Sequence, residues 1–290
     1  MSAIERVGVV GAGTMGHGIA QVCAASGIDV VMVDIAPNAI ERGLASIRAG
    51  LNRMAKKGTL PTSVDEVMHR VTGSTQISDL AISDMIIEAA TEALELKLGI
   101  IRQIDAVAGP RSVVATNTSS LSITQLAAVT SRPERFIGVH FFNPVPLMAL
   151  IELVAGLDTS SETVEVACKF ARDLSKEPIV VKNSPGFVVN RVLCPMINEA
   201  ILVLAEGVAS AEDIDRGMRL GCNQPIGPLA LADLIGLDVV LAIMNVFHRD
   251  FGDSKYRAAP LLKEMVAAGR LGRKAGRGFH SYQHESSQDS

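Results

Sequence analysis

The feature that most constrains the fold of this chain is the spacing of three glycines, Gly11-x-Gly13-x-x-Gly16, between two apolar stretches. The first stretch, residues 6–10, predicts a buried strand, and the second predicts a helix. A strand and a helix joined in this way form the phosphate-binding turn of a dinucleotide-binding unit. Gly11 then allows the tight turn, a side chain at Gly13 would block an approaching pyrophosphate, and Gly16 lets the helix pack on the sheet. The alternative is a glycine-rich turn that holds no ligand.

An acidic residue follows at the position where such a unit contacts a ribose. The second predicted strand, residues 28–33, ends in Asp34, which lies 18 residues after Gly16. A carboxylate there accepts hydrogen bonds from the adenosine ribose and repels a 2′-phosphate. The sequence therefore predicts NAD as the cofactor, in preference to NADP.

Strand-like and helix-like segments alternate as far as residue 181. Further strands are predicted at residues 85–89, 112–115, 136–139, 151–154 and 179–181, with helices at residues 37–57, 96–107 and 162–174. This alternation indicates a parallel, doubly wound sheet of the Rossmann type. The composition shifts at Asn183-Ser-Pro-Gly186, after which the prediction is essentially helical. We therefore expect an α/β Rossmann-type domain, residues 1–184, followed by an all-α domain, residues 185–290.

One predicted helix of the second domain, residues 187–206, is apolar on more than one face. A helix with that pattern is buried, either inside its own domain or against another chain. The pattern alone leaves both alternatives open.

Composition and charge exclude several classes of protein. With 290 residues, 48% of them hydrophobic and 20% charged, the chain is not disordered. Its net charge of −4 gives no reason to expect a nucleic-acid partner. The four cysteines form no CxxC pair and the six histidines show no ligand spacing, so no metal is expected. No targeting segment or membrane span is visible, and we expect a cytoplasmic protein without a membrane partner.

Three further polar residues are candidates for the site, and two of them lie shortly after predicted strands. Glu92 comes after the strand at residues 85–89, and Ser119 comes after the strand at residues 112–115. Ligands bind at the carboxyl ends of strands in open sheets, so both side chains are candidates for a site. Lys97 lies five residues after Glu92. The residues alone favour a simpler interpretation of Glu92 and Lys97, an exposed charge pair at the start of a helix.

A histidine at the end of a later strand is the candidate catalytic residue. His140 stands at the end of the strand predicted at residues 136–139, and Glu152 lies twelve residues further on, in the next strand. Hydride transfer from an alcohol to NAD⁺ needs a base for the hydroxyl proton, and imidazole titrates near neutral pH. A carboxylate beside the ring would orient it and stabilise its charged form. The alternative is a core histidine beside an unrelated glutamate.

Four stretches together resemble the L-3-hydroxyacyl-CoA dehydrogenase family, and above all its short bacterial members. They are Gly11-Ala-Gly-Thr-Met15-Gly16, Asn117-Thr-Ser-Ser-Leu-Ser-Ile, Gly138-Val-His-Phe-Phe-Asn-Pro-Val-Pro146 and Ser184-Pro-Gly-Phe-Val-Val-Asn-Arg191. The resemblance covers nearly the whole chain, from Val7 to Phe279.

The resemblance implies roles for the matching residues. His140 matches the catalytic histidine, Glu152 its carboxylate partner, and Ser119 and Asn190 polar groups that contact the substrate. The implied cofactor contacts are Gly11, Gly13, Met15, Gly16, Asp34, Glu92, Lys97, Ser119, Asn143 and Lys274. Lys57 matches a lysine that holds a phosphate of coenzyme A, although Gly50 stands where members of the family often have serine. A homodimer through the helical domain is also implied.

The activity expected from the resemblance is reversible, NAD-dependent oxidation of an (S)-3-hydroxyacyl-CoA, with short-chain 3-hydroxybutyryl-CoA as the first candidate. One alternative is a dehydrogenase of a free hydroxy acid or sugar acid on the same scaffold. Another is a protein that binds NAD(H) without catalysis, which would leave His140 and Glu152 without a chemical role.

Overall fold

The computed structural model describes residues 4–282, which form two compact units that divide after Phe187. We call the residues up to Phe187 unit 1 and those from Val188 onward unit 2. The division lies three residues beyond the boundary at residue 184 that the sequence indicated.

Unit 1 consists of a sheet and its helices. The strands are β1 (Arg6–Val10), β2 (Asp29–Val33), β3 (Val71–Ser74), β4 (Met85–Glu88), β5 (Val113–Thr116), β6 (Phe136–Phe141), β7 (Leu150–Ala155) and β8 (Glu177–Lys182). The helices are α1 (Thr14–Ala25), α2 (Pro37–Lys56), α3 (Val64–His69), α4 (Leu94–Val107), α5 (Ile123–Ala127) and α6 (Ser161–Asp173).

The eight strands form one sheet in the order β3-β2-β1-β4-β5-β6-β7-β8, and the first six run parallel. Strands β4, β5 and β6 are buried along their whole length, as in a parallel sheet covered on both faces. One core packs on α1, α2 and α6 through Ile19, Ile47 and Phe170. A second core packs on α4 and α5 through Ile101 and Leu126. The predicted Rossmann-type, doubly wound fold is confirmed.

The expectation of an entirely parallel sheet is wrong at one edge. Strand β7 runs antiparallel to β6, and β8 runs parallel to β7. Residues 142–149, which join β6 to β7, are too few for the crossover of a dozen or more residues that a parallel pair needs. Strand β8 follows the crossover helix α6, so it can run parallel to β7.

Unit 2 is helical, as predicted. Its helices are α7 (Val189–Ala205), α8 (Ala211–Gly221), α9 (Pro228–Ile235), α10 (Leu237–Phe251) and α11 (Pro260–Ala267). They enclose a separate apolar core that includes Ile197, Leu237, Phe247 and Leu262. In the described residues no single helix is long and apolar enough to cross a membrane, and α9 with α10 would qualify only as a pair bent by 97°.

Helix α7 starts two residues later than the sequence indicated. Phe187 has a φ of +53°, so it cannot be the first residue of a right-handed helix, and its side chain is buried in the core of unit 1. The helix buries Ile197 and Ile201, but Val192 is 67% exposed. The helix is therefore not buried on every apolar face within the chain.

Candidate active site

The glycine-rich turn between β1 and α1 has the geometry that its spacing predicts. Gly11 has a φ of +101°, and a Cβ atom there would lie 2.8 Å from the carbonyl oxygen of Ala89. A Cβ atom at Gly16 would collide with the carbonyl oxygen of Gly11, so the turn itself excludes a side chain at this position. A Cβ atom at Gly13 would meet nothing within 4 Å. Packing within the protein therefore does not explain Gly13, whereas a ligand that approaches the turn does.

The surroundings of this turn fit a dinucleotide. No side chain caps the first amides of α1, so they are available to phosphate oxygens. The Asp34 carboxylate accepts hydrogen bonds from the amides of Ala12 (2.9 Å) and Ala36 (3.0 Å). A carboxylate has about four acceptor positions, so roughly two remain for ribose hydroxyls. Together, Gly13 and Asp34 provide the space and the acceptor that NAD requires.

His140 and Glu152 lie directly opposite each other on the antiparallel pair β6 and β7. The imidazole Nδ1 is 2.8 Å from Oε2 of Glu152, and both side chains are buried, at 8% and 0% exposure. Because an ionised carboxylate only accepts hydrogen bonds, Nδ1–H is the donor, and the lone pair of the neutral ring is then on Nε2. No protein hydrogen bond to Nε2 is present among the described residues. The pair can therefore accept a proton at Nε2.

Two aromatic rings flank the imidazole. The Phe142 ring lies 4.5 Å from the His140 ring, and the Phe187 ring approaches it edge-on at 5.7 Å. Phe187 has a left-handed backbone conformation, which is rare for a bulky side chain and is typical of functional sites. These contacts restrict the orientations that the imidazole can adopt.

A buried charge pair lies at the carboxyl ends of β4 and β5. The Lys97 ammonium contacts the Glu88 carboxylate, and the two side chains are 2% and 0% exposed. The Thr116 hydroxyl donates a hydrogen bond of 2.7 Å to Glu88, and the ammonium lies 3.3 Å from the same hydroxyl. The alternative that placed Lys97 in an exposed charge pair is therefore wrong. Sequence reasoning missed Glu88 and Thr116, although each is a polar residue at the end of a buried apolar strand.

Glu92 connects this charge pair to the loop that carries Ser119. The Glu92 carboxylate lies 4.0 Å from the Lys97 ammonium and is 46% exposed. It accepts hydrogen bonds from the hydroxyl of Thr118 (2.7 Å) and from the amide (2.7 Å) and hydroxyl (3.1 Å) of Ser119. The structure thus brings Glu92, Lys97 and Ser119 together at the carboxyl ends of β4 and β5.

The remaining predicted residues of unit 1 lie on the surface or near the turn. Asn143 is exposed in the loop after β6, Met15 is half-buried in the first turn of α1, and Lys57 is exposed at the end of α2. A Cβ atom at Gly50 would overlap the amide group of Gln21, so the Gln21 side chain occupies the space beside Gly50.

Unit 2 carries the last two predicted residues. Asn190 is half-buried in the first turn of α7. Lys274 forms an ion pair with Asp238, with its Nζ 2.7 Å from Oδ2. Burial acts to raise the pKa of Asp238, but the hydrogen bond and charge of Lys274, together with the backbone amides of Val239 and Asp238, hold that pKa below its ordinary value.

Comparison with known proteins finds the same family in both parts of the chain. The NAD binding domain of 3-hydroxyacyl-CoA dehydrogenase matches residues 6–184, and the C-terminal domain of the same family matches residues 186–282. A 3-hydroxybutyryl-CoA dehydrogenase of Bradyrhizobium diazoefficiens is 49% identical, over 96% of this chain and 96% of its own. A probable 3-hydroxybutyryl-CoA dehydrogenase of Bacillus subtilis is 48% identical over 98% and 99%.

Among solved structures, the (S)-3-hydroxybutyryl-CoA dehydrogenase of Ralstonia eutropha matches with a TM-score of 0.94 and 58% identity, over 97% of this chain and 100% of its own. The fold, the NAD-binding turn and these matches define an NAD-dependent oxidoreductase that acts on a CH–OH group. The chain belongs to the 3-hydroxyacyl-CoA dehydrogenase family.

Proposed function

We propose that this enzyme interconverts short-chain (S)-3-hydroxyacyl-CoA and 3-ketoacyl-CoA, with 3-hydroxybutyryl-CoA as its substrate. The observation that carries the proposal is the buried His140–Glu152 pair, which lies on the same sheet as the NAD-binding turn. The substrate follows from the relatives of 48–58% identity, which are described as 3-hydroxybutyryl-CoA dehydrogenases.

In the proposed reaction His140 is the general base. Its Nε2 accepts the proton of the 3-hydroxyl group, and the buried Glu152 carboxylate stabilises the imidazolium that results. NAD, held by the first amides of α1 and by Asp34, would supply the acceptor for the hydride that leaves the carbon bearing this hydroxyl group. In the reverse direction His140 returns the proton to the oxygen of the ketone. Phe142 and Phe187 restrict the ring while the proton moves.

The other predicted residues have binding roles in this proposal. The first amides of α1 hold the pyrophosphate and Asp34 holds the adenosine ribose, with Glu92, Lys97, Asn143 and Lys274 as further cofactor contacts. Ser119 and Asn190 contact the substrate near its reacting oxygen and thioester, where such donors stabilise developing charge. Lys57, exposed at the end of α2, is available to a phosphate of coenzyme A.

The decisive experiment measures NADH oxidation with acetoacetyl-CoA, for the wild type and for His140→Gln. Removal of a general base lowers kcat by about 10²- to 10⁴-fold. His69→Gln is the matched control, because His69 is an exposed histidine at the end of α3. Normal turnover by a folded His140→Gln enzyme would remove the proposed base.

The same assay tests the substrate. Acetoacetyl-CoA is compared with longer 3-ketoacyl-CoA thioesters and with free acetoacetate. We expect the highest kcat/KM for the four-carbon thioester and no turnover of the free acid. Turnover of the free acid alone would instead support a hydroxy-acid dehydrogenase.

We further propose a homodimer that forms through unit 2 and acts in the cytoplasm. The exposed apolar side chains of Val192 and Val188, one turn apart at the start of α7, support the dimer. Light scattering should give twice the chain mass for the wild type and a smaller mass for Val192→Asp. A monomeric wild type would contradict the dimer, and activity in a membrane fraction would contradict the location.

A further inference from the structure

Lys176 is a buried lysine that the proposed reaction does not use. Helix α6 ends at Asp173, and Ser175 then adopts a left-handed conformation with a φ of +56°. The amide of Ser175 donates to the carbonyl of Arg172, and the amide of Lys176 donates to the carbonyl of Ala171. These two bonds form a Schellman motif, which usually has glycine at the left-handed position. The motif follows the end of α6 at Asp173 and leads directly into Lys176, a residue that is only 7% exposed.

The Lys176 ammonium is bound by backbone carbonyls. It donates hydrogen bonds to the carbonyl oxygens of Val145 (2.8 Å) and Met148 (2.7 Å). No carboxylate of residues 4–282 lies within 4.0 Å of it. Burial lowers the pKa of Lys176. A buried charge without a counter-ion is costly, so the two carbonyls are its main compensation.

The loop that these carbonyls belong to, residues 142–149, joins β6 to β7 and packs against α1. It begins after His140 and Phe141 at the end of β6, and it includes Asn143, a proposed cofactor contact. Val145 is buried, and a Cβ atom at Gly18 of α1 would come within 3.0 Å of the Val145 side chain. The loop therefore packs directly on the helix whose first turn is proposed to bind the pyrophosphate.

We propose that Lys176 is a positioning residue for NAD binding. By fixing the carbonyls of Val145 and Met148, its ammonium holds Asn143 and the Val145–Gly18 contact in the arrangement that the cofactor requires. Lys176 acts through the loop and has no contact with the reacting atoms. The inference rests on the proposed cofactor contact of Asn143.

The test compares Lys176→Met and Lys176→Arg with the wild type. NADH dissociation constants are measured from NADH fluorescence without substrate, and KM values for NADH and acetoacetyl-CoA from turnover. The loss of hydrogen bonds from a charged donor predicts that Lys176→Met raises Kd and KM for NADH by about tenfold. The KM for acetoacetyl-CoA should not change, and Lys176→Arg, which retains donors, should recover most of the NADH affinity.

Two control variants separate this role from general effects on the fold. Lys169→Met removes an exposed lysine of α6 that pairs with Asp173, and Leu147→Ala alters a side chain of the same loop that is 74% exposed. Both should bind NADH normally. An unchanged NADH Kd in a folded Lys176→Met protein would overturn the proposal, as would equal increases in both KM values.

If Lys176→Met does not fold, Val145→Ala tests the packing half of the proposal, because it shortens the side chain that contacts Gly18 and leaves the carbonyl that Lys176 binds in place. We expect a higher NADH Kd for this variant, and an unchanged value would overturn the proposal. The absence of wild-type turnover with acetoacetyl-CoA would count against the proposed substrate alone. The NADH Kd values test Lys176 separately from that result.

Discussion

At the scale of single residues, Gly13 and Gly16 are needed for different reasons. The fold itself excludes a side chain at Gly16, whereas a side chain at Gly13 would meet only open space. Gly13 is also the N-cap of α1 in an extended conformation, with a φ of −68°, and aspartate is a preferred residue at such a position.

This difference gives a paired prediction. Gly13→Asp should keep the stability of the protein without ligand but lose the stabilisation by NADH, which for the wild type is about 2.7 kcal/mol at a concentration 100 times Kd. Gly16→Ala should lower the free energy of unfolding without ligand by about 1–3 kcal/mol. Urea unfolding with and without NADH measures both effects. If NADH still stabilised Gly13→Asp, the pyrophosphate would have to bind elsewhere.

In the proposed site, the Asp34 carboxylate is the group that we expect to discriminate between NADH and NADPH. We expect Asp34→Ser to reduce the preference for NADH over NADPH, because serine removes the charge that repels a 2′-phosphate and keeps a polar group for the ribose. The ratio of kcat/KM for the two cofactors with acetoacetyl-CoA measures this preference. An unchanged ratio would mean that another group discriminates.

The candidate site could be predicted where one short stretch of sequence contains the relevant signal. The glycine turn and Asp34 follow from local patterns, and His140 and Glu152 lie only twelve residues apart. The partners of Lys97 carry no such signal. Glu88 ends a buried apolar strand that gives no sign of a charge pair, and Thr116, nineteen residues after Lys97, lies beside Glu88 only because β4 pairs in parallel with β5.

At the scale of secondary-structure elements, the Glu88–Lys97 pair joins β4 to α4. Glu88→Gln leaves the Lys97 ammonium buried with only the half-exposed Glu92 carboxylate, 4.0 Å away, as a counter-ion, so we expect a loss of about 3–5 kcal/mol in the free energy of unfolding. The double variant Glu88→Gln/Lys97→Met removes both charges and should recover most of this loss. Urea unfolding measures both variants.

The exposed pair of Lys169 and Asp173 on α6 is the matched comparison for that prediction. Both side chains are about half exposed, at 55% and 43%. Lys169→Met should therefore change the free energy of unfolding by no more than about 0.5 kcal/mol. If Glu88→Gln lowered the free energy of unfolding by as little as Lys169→Met does, burial would not strengthen the Glu88–Lys97 pair.

The segment after α11 is attached to α9 through Asp233. Burial and the hydrogen bond that Tyr282 donates to Asp233 raise the pKa of Tyr282 to about 12. The unfolded value is about 10, so this stabilisation is fully present below pH 10 and is lost as the pH rises through 12. Tyr282→Phe should be less stable at pH 8 and lose less stability between pH 10 and 12. Urea unfolding across this range tests the prediction, and an unchanged alkaline slope would contradict it.

Elements with a strong apolar pattern could be predicted from the sequence, and short polar elements could not. Strand β3 has the sequence Val-Thr-Gly-Ser, and it forms because it pairs with β2. Helix α5 has only five residues and depends on Ser122, which accepts a hydrogen bond from the amide of Gln125. The direction of β7 could not be predicted either, because an apolar pattern indicates a strand but not the strand that it pairs with.

At the scale of the whole molecule, the two units have separate cores. The residues that form the core of unit 2 all come from unit 2 itself. The chain has no tryptophan, and its two tyrosines, Tyr256 and Tyr282, both lie in unit 2. Tyrosine emission therefore reports on unit 2 alone, whereas the far-ultraviolet circular dichroism signal reports on both units.

We expect these two signals to give different urea midpoints, because separate cores do not need to unfold together. NADH should raise the urea midpoint of the unit 1 transition, because the glycine-rich turn that is proposed to bind the cofactor lies in unit 1. Circular dichroism and tyrosine emission, recorded on the same samples, test this prediction. Coincident transitions at all NADH concentrations would show that the molecule unfolds as one cooperative block.

The antiparallel return of β7 has a consequence for how this enzyme can evolve. His140 and Glu152 face each other because of strand register, and a slip of a single residue would turn the carboxylate to the opposite side of the sheet. Mutations that exchange side chains in the connection at residues 142–149 can accumulate while the register holds. Mutations that shift the register by one residue separate the Glu152 carboxylate from the His140 imidazole. Evolution can therefore change the side chains of this connection but not the register that it sets.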